Sequence, residues 1–154
     1  MDRKRRKVMN LMIIGDPHAH PDYDNSRFEK LGKFIAKVKP DAVVCMGDFA
    51  DMPSLSSYDR GTKGFEGRRY QKDIDAALDA QARLLHPLKR MKNLKRYMVM
   101  GNHEDRIVRV TNSSPELDGA IGIKDLKYKE NGWKVTPFKK SLKLKNIMFS
   151  QQDV

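Results

Sequence analysis

Three apolar runs in this chain end in the same way, at Ile14-Gly15-Asp16, Met46-Gly47-Asp48 and Met100-Gly101-Asn102. Each run is short and stopped by glycine, the pattern of a strand buried on both faces. Between the first two, Ser26-Arg27-Phe28-Glu29 has capping-box spacing, and Phe28, Leu31, Ile35 and Val38 recur at helical intervals as far as Pro40. Between the second and third, residues 52–70 read as a surface excursion rich in Ser, Gly and charge. Ile74, Ala77, Leu78, Gln81, Leu84, Leu85 and Leu88 then trace a helical stripe that Pro87 kinks or ends. Strand, helix, strand, helix, strand with right-handed crossovers makes the strands parallel. The expected class is α/β: a βαβαβ layered sheet flanked by helices.

The tail is less regular. Short helices are expected over 104–110 and 121–128, and strands over 133–135 and 142–149, the last a half-exposed edge. A chain of 154 residues is expected to form one domain, 8–154, behind a basic arm at 1–7. No apolar run approaches the roughly 20 residues that cross a bilayer, so no membrane partner and a cytoplasmic location are expected. Cys45, the single cysteine, lies in an apolar run and reads as core.

The net charge of +11 is gathered into runs, with six basic residues and no acid over 83–96 and eight lysines over 124–145. Such a balance favours polyanions, because neutralising phosphates releases counterions, although a solvated surface has the same composition. The aromatics near these runs, Phe65, Tyr70, Tyr97, Tyr128 and Trp133, could stack on bases or simply pack.

The carboxyl ends of parallel strands lie side by side, so separations of 32 and 54 residues between positions 16, 48 and 102 cease to matter. Asp16, His18, Asp48, Asp51, Asn102 and His103 are then expected to converge. Carboxylate, imidazole and amide oxygen without thiolate suit two divalent ions, manganese, iron or zinc, with Asp48 as the natural bridge. His20 reads as a turn residue near the crevice and His86 as structural.

These residues resemble the calcineurin-like metallophosphoesterases. Asp16-Pro17-His18 is similar to their Asp-x-His block, Gly47 to Asp51 to Gly-Asp-x-x-Asp, and Gly101 to Glu104 to Gly-Asn-His-Asp/Glu, all in order and each after a strand. The resemblance implies that Asp16 and His18 bind the first metal, Asp48 bridges, Asn102 binds the second, His103 faces the scissile phosphate and Asp51 orients His103. It implies phosphate mono- or diester hydrolysis by metal-bound hydroxide, and the basic surface points to nucleic acid or nucleotide substrates.

Met52 stands where the family's protein phosphatases carry arginine, which argues against protein phosphatase activity. Beyond His103 there is no histidine, and Gln151 occupies the place where the next block would supply one. The expectation is therefore an interrupted domain with an incomplete second metal site, completed by a partner chain or weakly active. The rival is a remnant that acts as a basic nucleic-acid-binding module.

Overall fold

The computed structural model of the chain describes residues 8–152; the basic arm at 1–7 lies outside the described residues. Four parallel strands, β1 (Leu11–Ile14), β2 (Ala42–Cys45), β3 (Lys95–Val99) and β4 (Lys134–Thr136), form one sheet in the order β1-β2-β3-β4. Ile14 pairs with Cys45, Cys45 with Met98, and Met98 with Val135, so the strand ends are level. Helices α1 (Ser26–Val38), α2 (Tyr70–Leu85) and α3 (Asn102–Ser113) fill the connections.

Because the strand order advances one way throughout, right-handed crossovers put these helices on one face of the sheet. The packing agrees. Val43 and Cys45 of β2 join Ile14, Met98, Phe28, Ile35, Ile74 and Leu84 in the larger core. Ala42 and Val44, their alternates, face a second cluster with Tyr97, Val99 and Phe149. Both faces of β2 are therefore covered, which is why its sequence is an unbroken apolar run. The second cover is a hairpin, β5 (Leu142–Leu144) with β6 (Ile147–Phe149).

That hairpin corrects the single strand expected over 142–149. The chain reverses at Lys145, whose φ of 52° is left-handed, and a two-residue turn lets the apolar alternation continue into the returning strand. The helix expected over 121–128 is a 3₁₀ turn at Ile123–Leu126. The capping box at Ser26 is also absent: Asp24 accepts the Ser26 N–H, while Glu29 pairs with Lys33 at 2.6 Å. Pro87 ends α2 as expected, in the 3₁₀ turn His86–Leu88. Gly32, costly in a helix by propensity, has a packing reason, since a Cβ there would run into the Leu84 carbonyl at the end of α2.

Tyr97, Tyr128 and Trp133 are buried, so three of the five aromatics considered for base stacking are core residues. Cys45 is buried too, and burial pushes its thiol well above the ordinary range.

Candidate metal centre

Past the ends of β1 and β2 the backbone pairing continues. His18 N–H donates to the Asp48 carbonyl at 2.9 Å, Ala19 N–H to Phe49 at 2.6 Å, and Asp51 N–H to Ala19 at 3.0 Å. This parallel zipper fixes the first two motif loops against each other. Three residues in it, His18 (φ 49°), Asp48 (φ 48°) and the adjacent Asp16 (φ 27°), adopt positive φ without being glycine. Such residues cost of order 1–3 kcal/mol each and persist only where surroundings over-determine them.

The third loop is held by Glu104. Its fully buried carboxylate accepts the N–H groups of Asp48 (3.0 Å), Ala50 (3.1 Å) and Gly101 (3.0 Å) and the Tyr128 hydroxyl (2.9 Å). One side chain thus ties the loop after β2 to the loop after β3. Glu104 belonged to a recognised block but had no role read from it. The signal available was an acid at the third position of a helix, where carboxylates collect free N–H groups.

Asp48, 5% exposed, sits against the N-terminus of α3 and accepts the His103 N–H on Oδ1 at 2.9 Å. The approach requires Gly101, because a Cβ there would overlap Asp48 Oδ1 and stand 2.6 Å from its nitrogen. Ligand atoms of His18, Asp48 and His103 all lie within 4.8 Å of one another. Two imidazoles and a carboxylate so grouped fit a divalent transition metal.

The other candidates surround this trio. Asp51 Oδ1 is 2.7 Å from His103 Nδ1 and 3.3 Å from His18 Nδ1, and its Oδ2 is 3.7 Å from His20 Nε2. His20 is buried beside the crevice, with Nδ1 accepting the Asp22 N–H. Asp16 is exposed and falls outside the trio, yet its charge, with those of Glu104 and Asp48, acts on the Cys45 thiol. Asn102 is the first residue of α3, and its side chain lines a cleft beside Arg106 and Arg109.

Electrostatics couple Asp51 to His103. Burial alone would push the His103 pKa down, but the hydrogen bond its Nδ1–H donates to Asp51 and the charge of Asp48 outweigh it, and the net shift is upward. For Asp51, burial pushes up while His103, His18 and His20 pull down harder, and the net is downward.

Two further contacts reach this centre, the first from the position where the family's next block would carry a histidine. Gln151, just past β6, donates from Nε2 to Asp48 Oδ2 at 3.0 Å, while its buried Oε1 has no hydrogen-bond partner among the described residues. Arg106 donates from Nη1 to the Asp51 carbonyl at 3.0 Å, and its Nη2 is 3.3 Å from His103 Nε2.

Compared with known proteins, residues 9–150 match the sequence model of one family, described as calcineurin-like phosphoesterase. Over 98 residues the chain is 30% identical to the Gene 54 protein of Mycobacterium phage L5. That stretch covers 64% of this chain and 37% of the phage protein's length.

Proposed function

The chain belongs to the calcineurin-like phosphoesterase family, and from that membership we propose that it hydrolyses phosphate mono- or diesters of nucleotides or nucleic acid with divalent ions held at the ends of β1, β2 and β3. The trio His18, Asp48 and His103, with ligand atoms within 4.8 Å, is the observation that carries this reading. In the proposed site Asp16 and His18 would hold one ion, Asn102 would hold the second and Asp48 would be offered to both. Manganese, iron or zinc so bound supplies Lewis acidity toward phosphoryl oxygens and a nucleophile at neutral pH.

The remaining steps belong to this chain's side chains. Asp51 engages His103 at Nδ1, through its carboxylate at 2.7 Å and its carbonyl at 2.8 Å, so Nδ1 carries a proton while Nε2 faces Arg106 on the other side of the ring. The upward shift of the imidazole favours the protonated form, which suits His103 to deliver a proton to the leaving oxygen. Arg106, next to Nε2, opposes that protonation and is placed to meet phosphate charge instead.

The test is manganese-dependent hydrolysis of bis(p-nitrophenyl) phosphate by the purified chain. Asp48→Asn and His103→Ala are each expected to lower kcat by about a hundredfold or more. Wild-type turnover in either variant would remove the assignment. A second reading, a basic nucleic-acid-binding module without turnover, draws support from Gln151, whose amide occupies Asp48 Oδ2. Salt-dependent DNA binding indifferent to manganese and to both substitutions, with no hydrolysis, would favour it.

A further inference from the structure

Helix α3 carries a second pattern that the metal trio does not use. Asn102, Arg106 and Arg109 recur at helical spacing and share one face. Across from them the loop after β2 brings Ser57, Tyr58 and Arg60, and the two walls enclose a cleft of about 380 Å³. Three guanidiniums line this cleft and no carboxylate does.

The cleft adjoins the candidate metal centre through Arg106, which lines it and whose Nη2 is 3.3 Å from His103 Nε2. Its cations are set in place by the fold. Arg106 is held by the carbonyls of Asp51 and Met52 at 3.0 and 3.3 Å. Arg109 donates to the Asn102 carbonyl at 3.0 Å and has Asp105 as an i,i+4 partner at 3.4 Å. Arg60 is exposed and makes no ion pair among the described residues. Tyr58 is 89% exposed at the rim, an aromatic face that no core contact explains. Three guanidiniums with only Asp105 paired to one of them, and Arg60 with no ion pair among the described residues, call for an anion beyond the one undergoing reaction, and a bare ring beside them calls for a planar apolar group.

We propose that this cleft seats the nucleotide adjoining the scissile phosphate of a single-stranded nucleic acid, with Arg60 and Arg109 against its phosphate and Tyr58 stacked on its base. The assignment of the adjoining phosphate rests on the phosphoesterase reading. Single strands are specified because a base must leave its own stack to reach a rim tyrosine. Phosphate contacts position the strand and stacking tolerates any base, so the cleft selects nucleic acid over small phosphoesters without selecting sequence.

The experiment is fluorescence anisotropy of a fluorescein-labelled oligothymidylate in EDTA, which reads binding apart from turnover. Arg60→Ala with Arg109→Ala is expected to weaken Kd about tenfold and to lower the slope of log Kd against log salt by about 0.7, the share of the one phosphate the two arginines neutralise on a single strand. Tyr58→Ala is expected to weaken Kd about fivefold, with Tyr58→Phe restoring it, because stacking needs the ring and not the hydroxyl. Lys30→Ala with Lys37→Ala, exposed cations of α1, is the charge-matched comparison.

Equal losses in the cleft pair and the α1 pair would overturn the proposal, as would Tyr58→Phe binding as weakly as Tyr58→Ala. If the arginine pair alters the melting profile, the Tyr58 series decides by itself. Hydrolysis of bis(p-nitrophenyl) phosphate by the wild type separates the two readings. Cleft-dependent binding without that hydrolysis leaves nucleic-acid capture standing and removes the phosphoesterase; hydrolysis without cleft-dependent binding does the reverse.

Discussion

Replacing Glu104 by glutamine changes one atom in the group that joins two motif loops. The carboxylate accepts four donors, three of them backbone N–H groups. An amide has a single acceptor oxygen. If that oxygen stays with Asp48 and Gly101, the NH₂ faces the Ala50 N–H, and one buried donor is orphaned at about 1–3 kcal/mol. Tyr128 can rotate its hydroxyl and accept from the NH₂, so that contact is close to neutral. The two retained bonds fall from charge-assisted to neutral, about 1 kcal/mol each. Against this, burial and the charge of Asp48 hold the Glu104 pKa above its ordinary value, so removing the buried anion returns part of that loss. The losses come to about 3–5 kcal/mol before that return, a fall in Tm on the order of 10 °C for a chain of this size. Scanning calorimetry in EDTA measures it, and a manganese titration then reads the site through the metal-linked rise in Tm, expected to shrink as the loops separate. A variant melting within about 2 °C of wild type, with the same manganese-linked rise, would show that the carboxylate does not hold the loops as an anion.

Gly101→Ala, whose Cβ would overlap Asp48 Oδ1, is expected to abolish manganese binding by calorimetry, whereas Gly15→Ala, with nothing within 4 Å, leaves it and the melting temperature near wild type. Gln151→His replaces an amide on Asp48 Oδ2 with a metal-capable imidazole and is expected to tighten manganese binding by about tenfold or more; weaker binding would show that residue 151 does not face the ion. The Asp51–His103 pair gives stability a pH dependence with two limits. His103 has its folded pKa raised above 6.5, so its share is full below that value and is lost as pH rises through the raised pKa. Asp51 has its pKa lowered below 3.8, so its share is present above that value and is lost as pH falls through the lowered pKa. Metal-free melting should therefore show Tm falling as pH rises past 6.5, and Asp51→Asn should flatten that fall; an equal fall in both proteins would contradict the pairing.

The strand ends were legible because they obey two local rules at once. An apolar run must stop where a side chain has to leave the sheet, and glycine must stand where another chain approaches closely, as Gly101 does against Asp48. The stripe on α2 was legible for the same reason, since Ile74, Ala77, Gln81 and Leu84 answer to helical periodicity alone. The hairpin at 142–149 was not. Its apolar face shifts by one residue, from Leu142 and Leu144 to Ile147 and Phe149, but Met148 between the last two blurs the shift, and the reversal at Lys145 carries no glycine or proline. Nor could spacing reveal Gln151 against Asp48, 103 residues apart, a contact that exists only once the hairpin closes over the sheet. Spacing also could not separate exposed Tyr58 from buried Tyr128 and Trp133, because proximity to basic residues in sequence says nothing about exposure.

The loop after β2 shows how a core can hold a reactive site in an unfavourable backbone. Along Asp48-Phe49-Ala50-Asp51-Met52 the side chains divide: Phe49, Ala50 and Met52 have 0% exposure, while Asp48 and Asp51 face His103 and His18. Phe49 packs against Phe28 of α1 with ring centroids 5.2 Å apart and edge-on to Tyr128 at 6.1 Å. Its position is therefore fixed from two sides of the core. Met52 is itself left-handed, at φ 53°, and buried. Straightening the loop to relieve Asp48 or Met52 would withdraw Phe49 and Met52 from the core and break the Glu104 bonds to Asp48 and Ala50. Each of those losses is comparable to or larger than the strain relieved, so the carboxylates stay where the fold has put them before any ion or substrate arrives.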